Sequence, residues 1–143
     1  MKQSLQISLY LLILTLLTSS LSAQIETDFS DRQAIITATE NFFIGDHTGS
    51  IKHKKLSMHE KGAYRWVNGD GEYAESIFNL DSDDSDTSYK EELLSIEIYD
   101  KLALVRLRLV DNTGGQHYKL LTLHKAGTQW KITSITWGSG ITQ

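Results

Sequence analysis

Residues 89–137 of this 143-residue chain, YKEELLSIEIYDKLALVRLRLVDNTGGQHYKLLTLHKAGTQWKITSITW, decide the fold. They contain four strand-like runs separated by short links: residues 89–99, 102–110, 117–124 and 129–137. Links this short join antiparallel neighbours as hairpins. Apolar residues such as Leu94, Ile96 and Ile98 alternate with polar ones, which indicates that one sheet face is buried and the other is partly exposed. The stretch therefore predicts an antiparallel meander.

The last run of the meander contains an irregularity. Trp130 and Ile132 are at even-numbered positions, whereas Ile135 and Trp137 are at odd-numbered ones. In a regular strand the two pairs would therefore point to opposite faces. A β-bulge near residues 133–134, or a strand that is buried on both faces, would explain this switch.

The segment just before the meander predicts a hairpin and a loop. Residues 63–67 are strand-like, and residues 68–71 (NGDG) favour the positive φ angles that tight hairpin turns require. Residues 72–80 fit either a second strand or one helical turn. Residues 81–88 are polar and acidic, which is typical of an exposed loop.

Two helices are predicted before the strands. Ser30 and Gln33 fit a capping box, so a helix should start at Ser30. Its apolar face is formed by residues at helical spacing: Ile35, Ala38, Phe42 and Phe43. Gly45 and Asp46 should end it. A shorter helix over residues 50–56 has few apolar positions, so we expect it at the surface.

The first 23 residues are typical of a secretory signal. Lys2 precedes a short apolar run at residues 7–17, and small residues lead up to Ala23. Cleavage after Ala23 would leave residues 24–143 as a single domain, exported to the periplasm or outside the cell. The alternative is an uncleaved membrane anchor, for which the apolar run is short compared with the ~20 residues of a bilayer span.

Composition excludes several classes of function. With 40% hydrophobic and 22% charged residues the chain is an ordinary globular protein, and it contains no cysteine. Thiolate nucleophiles, cysteine-ligated zinc and iron–sulfur clusters are therefore excluded. The net charge of −4 argues against a nucleic-acid partner, because phosphate contacts need clustered Lys and Arg. No cofactor is expected.

Taken together, two helices, a hairpin and a long meander resemble the nuclear transport factor 2-like superfamily, and within it the exported bacterial family named putative lumazine-binding. The segments that carry this resemblance are residues 34–46, 56–59, 92–107 and 130–132, together with Trp137. The resemblance implies an α+β, cone-shaped roll of the cystatin-like type, with N-terminal helices packed on a curved, mainly antiparallel sheet. The family commonly has a histidine–proline pair after the second helix, whereas here Glu60 follows His59.

The resemblance also implies a ligand pocket at the mouth of the cone. The residues expected to line it are Phe43, Met58, His59, Tyr64, Trp66, Phe78 and Trp137. Aromatic walls with a few polar tips are typical of pockets for small apolar or aromatic molecules. The alternative is that these side chains only form the core.

His59 is the single candidate for catalysis. An imidazole at the cone mouth could move protons near neutral pH, and enzymes of this superfamily use Asp, His or Tyr in the cone. Three functions therefore stay open: a non-enzymatic binding or interaction domain, which we favour; a cofactor-independent isomerase, dehydratase or hydrolase; and a structural dimerisation domain without a ligand.

Three further patterns bear on metals and partners. Asp81, Asp83, Ser85 and Glu92 fit part of a calcium-loop template, but Asp86 occupies the position that requires glycine. The histidines have no metal-site spacing, so no metal site is expected. Arg106 and Arg108 share one strand face, which favours a homodimer through that sheet face over an anion site.

Overall fold

The computed structural model of the protein describes residues 28–139. The expected signal at residues 1–23 lies outside the described residues. The compact unit that begins at Ala34 contains the sheet and most of the first helix. The described residues before Ala34 continue that helix towards the N-terminus.

Two helices precede six strands. Helix α1 occupies residues 28–48, and helix α2 spans Ile51–Ser57. The strands are β1 Met58–Val67, β2 Tyr73–Ile77, β3 Tyr89–Tyr99, β4 Leu102–Asp111, β5 Gln116–Ala126 and β6 Gln129–Ser139. The four predicted runs of the meander are thus present, and the segment after the first hairpin turn is a strand rather than a helical turn.

The strands form one sheet in the order β2-β1-β6-β5-β4-β3. Strands β3 to β6 pair as consecutive antiparallel neighbours, which confirms the predicted meander. Strand β1 pairs antiparallel with β2 and parallel with β6, because the chain crosses from one side of the meander to the other. The predicted α+β class with a mainly antiparallel sheet is confirmed.

Bulges interrupt β6 and β3, and the β1–β6 pairing also shifts register between Met58 and Ala63. Thr122 pairs with Ser134 and Leu123 pairs with Ile132, so Thr133 is the extra residue of β6 and the predicted bulge is confirmed. A second register shift lies in β3 between Leu93 and Ser95. It breaks the alternation expected for Leu94, which is 40% exposed, whereas Ile96 is buried and Ile98 is partly buried.

The core lies between α1 and one face of the sheet, here called the inner face. Ile35, Ala38 and Phe42 of α1 are buried, as their helical spacing predicts. They belong to the same cluster as six sheet residues that are fully buried: Ala103, Val105, Leu121, Leu123, Ile132 and Ile135. Burying a Leu, Ile or Phe side chain contributes about 1.5–3 kcal/mol, so this layer holds helix and sheet together.

The predicted ends of α1 were wrong. Ser30 lies inside the helix, and the helix continues past Gly45 and Asp46 to residue 48. Gly45 instead allows α1 and α2 to pack closely, because a Cβ atom there would lie 2.9 Å from the backbone nitrogen of Lys54. At this end of α1 the glycine with positive φ is Gly49 (φ 68°), which follows the last helical residue as a C-terminal glycine usually does.

Candidate functional site

A row of four aromatic side chains crosses strands β1 and β6. Trp66 stacks on Trp137 with ring centroids 5.1 Å apart and planes inclined by 9°. Tyr64 makes edge contacts with Trp137 at 5.8 Å and with Phe78 at 4.8 Å. The parallel pairing of Tyr64 with Ile135 and of Arg65 with Thr136 explains the stack, because it brings Trp66 level with Trp137.

The two middle rings of this row, Tyr64 and Trp137, border a cavity of about 510 Å³ on the inner face, here called the aromatic cavity. Its lining residues come from five strands, the end of α1 and the loop before β3: Asp46, Tyr64, Asp86, Tyr89, Leu109, His117, Tyr118, Lys119 and Trp137. Four of these residues carry large aromatic rings, and four others are acidic or basic. A volume in this range suits a small organic molecule.

Asp46 and Lys119 form the charged wall of the aromatic cavity. The Lys119 Nζ and Asp46 Oδ2 atoms are 3.6 Å apart, and the two side chains are only 16% and 23% exposed. The Lys119 ammonium also lies 5.4 Å from the centre of the Phe42 ring, in cation–π range. Both side chains are therefore held against the core while their charged ends reach the cavity.

A second pair of ionisable groups, His47 and Glu91, lies beside the first. His47 Nε2 is 2.8 Å from Glu91 Oε2, and the Glu91 side chain is only 3% exposed. Nε2 is buried without a hydrogen bond of good geometry, so the contact is electrostatic. Burial raises the pKa of Glu91, the charges of His47 and Lys119 oppose that rise, and Asp46 adds to it.

Tyr64 joins the aromatic row to the charged wall. Burial, with a smaller effect of the Asp46 charge, raises the pKa of the Tyr64 phenol to about 12. Tyr64 therefore stays neutral over the physiological range. It offers the cavity an apolar ring and a hydroxyl that can donate or accept a hydrogen bond.

The far wall of the cavity contains Tyr89 and His117. Their rings meet edge to face at 5.7 Å, and His117 Nε2 lies 3.6 Å from Asp111 Oδ2. Hydrogen bonds from the Thr113 hydroxyl and from the backbone N–H of Gly115 are the main causes that lower the pKa of Asp111 to about 2. Asp111 therefore fixes the β4–β5 turn and places a negative charge near His117.

The loop between β2 and β3 covers the junction of the two helices. Lys54 Nζ donates hydrogen bonds to the carbonyl oxygens of Ser82 (2.9 Å) and Asp84 (2.7 Å). The backbone N–H of Asp86 donates to the Asp46 carbonyl oxygen at 2.8 Å. A smaller cavity of about 210 Å³ under this loop shares Asp46, Tyr64 and Asp86 with the aromatic cavity. The loop thus borders the site from the helix side.

The structure brings together only part of the set predicted to line a pocket. Tyr64 and Trp137 line the aromatic cavity, and Met58 lines the smaller one. Trp66 and Phe78 support the aromatic row, whereas Phe43 packs against the core cluster.

His59 lies outside both of these cavities. Its Nδ1 atom accepts a hydrogen bond from the backbone N–H of Lys61 at 3.1 Å, an exposed contact within β1. Met58 is buried, whereas His59 is half-buried.

Sequence reasoning missed the ionisable residues of the site: Asp46, His47, Glu91, His117 and Lys119. One of them carried a signal, because Lys119 has the same strand parity as the buried Leu121. Glu91 carried none, since the alternation of Leu94, Ile96 and Ile98 assigns it to the outer face and only the bulge between Leu93 and Ser95 turns it inward. A charged residue at an inward position of an otherwise apolar strand indicates a functional site, because burying a charge without a purpose is costly.

Residues of the calcium-loop template and of the arginine-bearing sheet face form ion pairs within the chain. Asp81 pairs with Lys55 at 2.6 Å, and Glu92 pairs with Arg108 on the outer face of the sheet. Arg106 is exposed on that same outer face. Within residues 28–139, no group of three or more His, Asp or Glu side chains is arranged to hold a metal ion. In the same part of the chain, no helix is long and apolar enough to cross a bilayer.

Comparison with known proteins identifies the family. The model of the family described as "Putative lumazine-binding" matches residues 30–138. The chain belongs to this family. The resemblance drawn from the helical and meander segments is therefore confirmed, and the family match includes every residue that lines the aromatic cavity.

Solved structures show the same fold. A nuclear transport factor 2-like protein of unknown function from Shewanella baltica is 15% identical, with a TM-score of 0.66 over 78% of this chain and 95% of that chain. One from Methylobacillus flagellatus is 16% identical, with a TM-score of 0.63 over 77% and 92%. A function-unknown protein from Mycobacterium tuberculosis is 14% identical, with a TM-score of 0.57 over 81% and 75%. No curated protein matches the chain significantly in sequence.

Proposed function

We propose that this protein is an exported, non-enzymatic domain that binds a small planar aromatic molecule in the aromatic cavity. The observation that carries the proposal is the composition of that cavity: aromatic rings, among them Tyr64 and Trp137, and the Asp46–Lys119 pair line one space of about 510 Å³. Small-molecule sites commonly combine aromatic walls with a few well-placed polar groups. The family name, which refers to lumazine, is consistent with a flat heteroaromatic ligand.

Trp137 is the side chain best placed to hold such a ligand. It is 38% exposed although one of its faces is covered by Trp66. A large aromatic side chain that is pre-oriented by stacking loses little conformational entropy when a ligand packs on it. Stacking of a planar ring on an aromatic side chain is worth about 1–3 kcal/mol in nucleic-acid complexes, and we expect a similar contribution here.

The test is binding of lumazine and a panel of planar bicyclic aromatics, measured by thermal shift and by calorimetric titration. We expect Trp137→Ala to weaken binding of the best ligand by about tenfold or more while the protein stays folded. Tyr73→Ala removes an exposed ring from β2, outside the cavity, and is the matched control. A wild-type protein that binds no member of the panel, or equal losses in the two variants, would contradict the proposal.

A second candidate function is supported by the buried Glu91 carboxylate beside His47. A buried acid next to an imidazole is suited to proton transfer, as in enzymes that need no cofactor. This pair replaces His59 as the acid–base candidate. The test is deuterium exchange at the acidic C–H of a bound aromatic ketone, followed by NMR. Exchange above the buffer rate that disappears in Glu91→Gln favours the enzyme, and no acceleration in the wild type argues against it.

Export and dimerisation belong to the same proposal and need their own measurements. N-terminal sequencing of the secreted protein is expected to begin at Gln24, and a chain that still begins near Met1 would contradict signal cleavage.

A homodimer through the outer face around Arg106 and Arg108 is expected by light scattering. An Arg106→Glu change should then yield monomers, whereas a monomeric wild type at high concentration would remove the dimer.

A further inference from the structure

The Asp46–Lys119 pair places a hydrogen-bond acceptor and a donor side by side in the wall of the aromatic cavity. We propose that this pair recognises the adjacent N–H and C=O groups on one edge of a neutral, planar cyclic amide. In this arrangement the ligand N–H donates to the Asp46 carboxylate, and the Lys119 ammonium donates to the ligand carbonyl. The inference rests on the proposed binding of a planar aromatic molecule and names its chemical class.

The separation of the two groups suits such an edge. At 3.6 Å, Lys119 Nζ and Asp46 Oδ2 attract each other but are beyond the 2.7–3.2 Å of a good N–H···O hydrogen bond. Neither group therefore depends on the other to satisfy its hydrogen-bonding capacity. The N–H and C=O of a cyclic amide lie side by side and point the same way, so they can meet this donor and acceptor with two roughly parallel hydrogen bonds.

Both groups are also held in place before a ligand arrives. Asp46 lies in the last turn of α1, and its backbone oxygen accepts the Asp86 N–H at 2.8 Å. Lys119 is in the middle of the sheet, paired with Leu107 on one side and Trp137 on the other, and its ammonium lies against the Phe42 ring. Preorganisation of this kind reduces the entropy that binding costs.

The charges around the pair favour a neutral ligand over an anion. Asp46 and Lys119 balance each other, Asp86 also lines the cavity, and Glu91 lies close enough to Asp46 and Lys119 for their charges to act on it. An aromatic carboxylate would bring a further negative charge towards these carboxylates. Hydrogen bonds to charged partners are roughly twice as strong as those between neutral groups, which favours a neutral amide edge that can form two of them.

The experiment compares three probes by calorimetric titration: 2-quinolinone, its N-methyl derivative and 2-naphthoate. N-methylation removes the N–H donor but keeps the bicyclic ring and the carbonyl group. We expect the wild type to bind 2-quinolinone at least about tenfold more tightly than either of the other probes. Equal affinities for 2-quinolinone and its N-methyl derivative, or tighter binding of 2-naphthoate, would overturn the amide-edge assignment.

Variants locate the recognition. In Asp46→Ala the preference for 2-quinolinone over the N-methyl probe should fall to about twofold or less, and in Lys119→Met both carbonyl probes should bind more weakly. Lys90→Met removes an exposed lysine from β3 and should retain the full preference. An unchanged preference in Asp46→Ala overturns the inference. If all three bicyclic probes bind with equal affinity, the amide-edge inference fails and the proposed function stands. If no planar probe binds, the proposed function fails as well.

Discussion

The two ends of the inner sheet face are built differently although the same strands form both. At one end, across β4, β5 and β6, the inward residues are Ala103, Val105, Leu121, Leu123, Ile132 and Ile135, all fully buried. At the other end, the inward residues are Leu109, Glu91, His117, Lys119 and Trp137, which border the aromatic cavity or lie just behind it. The change occurs where α1 ends.

This difference separates stability from function along each strand. Where α1 covers the sheet, apolar side chains meet apolar side chains, and their burial supplies the folding energy. At the other end, the last turn of α1 meets the sheet through polar side chains, with Asp46 against Lys119 and His47 against Glu91. The inward positions there hold ionisable groups beside a cavity. Changes at the apolar end, here called the closed end, should therefore affect folding. Changes at the end that holds the aromatic cavity, here called the open end, should affect binding.

The largest effect is expected at the closed end. Leu121→Ala would leave a cavity at a fully buried site, and we expect a loss of about 2–5 kcal/mol in the free energy of unfolding, measured by urea denaturation. The adjacent Leu120 lies on the outer face and is 41% exposed, so Leu120→Ala is the matched control, with a cost of about 1 kcal/mol or less. Equal costs for the two variants would break the distinction between the two faces.

A smaller effect is expected where the aromatic row meets the closed end. A Cβ atom at Gly62 would lie 2.4 Å from the Phe78 ring and 2.9 Å from the Thr133 carbonyl oxygen. Gly62→Ala should therefore displace Phe78 and cost about 1–3 kcal/mol in thermal or urea unfolding. Gly69 has open space around the position of a Cβ, so Gly69→Ala is its control. A Gly62→Ala protein as stable as the control would show that the row does not depend on this packing.

The smallest effect is expected from Glu91 at the open end. Burial raises its pKa in the folded state above the ordinary value of 4.5. The Asp46 charge adds to this rise, and the charges of His47 and Lys119 oppose it. The folded protein then binds this proton more tightly than the unfolded chain, so the Glu91 contribution is most favourable below about pH 4.5 and declines as pH rises through the folded pKa. Glu91→Gln removes this decline.

The measurement is the free energy of unfolding of both proteins from pH 4 to pH 8. The stability of Glu91→Gln relative to the wild type should increase with pH. Glu92→Gln, on the opposite face of β3, controls for the removal of one carboxylate from the same strand. A difference between Glu91→Gln and the wild type that stays constant across this range would show that burial does not perturb Glu91.

Much of the fold was predictable because its signals are local. The period-two pattern identified all four strands of the meander, and the parity switch between Ile132 and Ile135 located the bulge at Thr133. The helical spacing of Ile35, Ala38 and Phe42 identified the buried face of α1. The end of α1 was misplaced because Gly45 is a signal both for a helix end and for close packing, and only the position of Lys54 decides between them.

The candidate site was less predictable because its members are distant in sequence. The resemblance to the family suggested the aromatic residues Tyr64, Trp66 and Trp137, and it also suggested His59, which the structure places away from the aromatic cavity. Nothing local distinguishes Asp46 from the acids of an exposed turn.

By itself, then, the sequence determined the strands, the buried face of the first helix and the absence of thiol chemistry, since each depends on residue type and spacing within a short segment. The tertiary structure decided which ionisable groups meet. The length of α1 brings Asp46 beside Lys119 and His47 beside Glu91, and the parallel pairing of β1 with β6 brings Trp66 onto Trp137. Such contacts arise only when distant segments pack, because the forces that select them act through space and not along the chain.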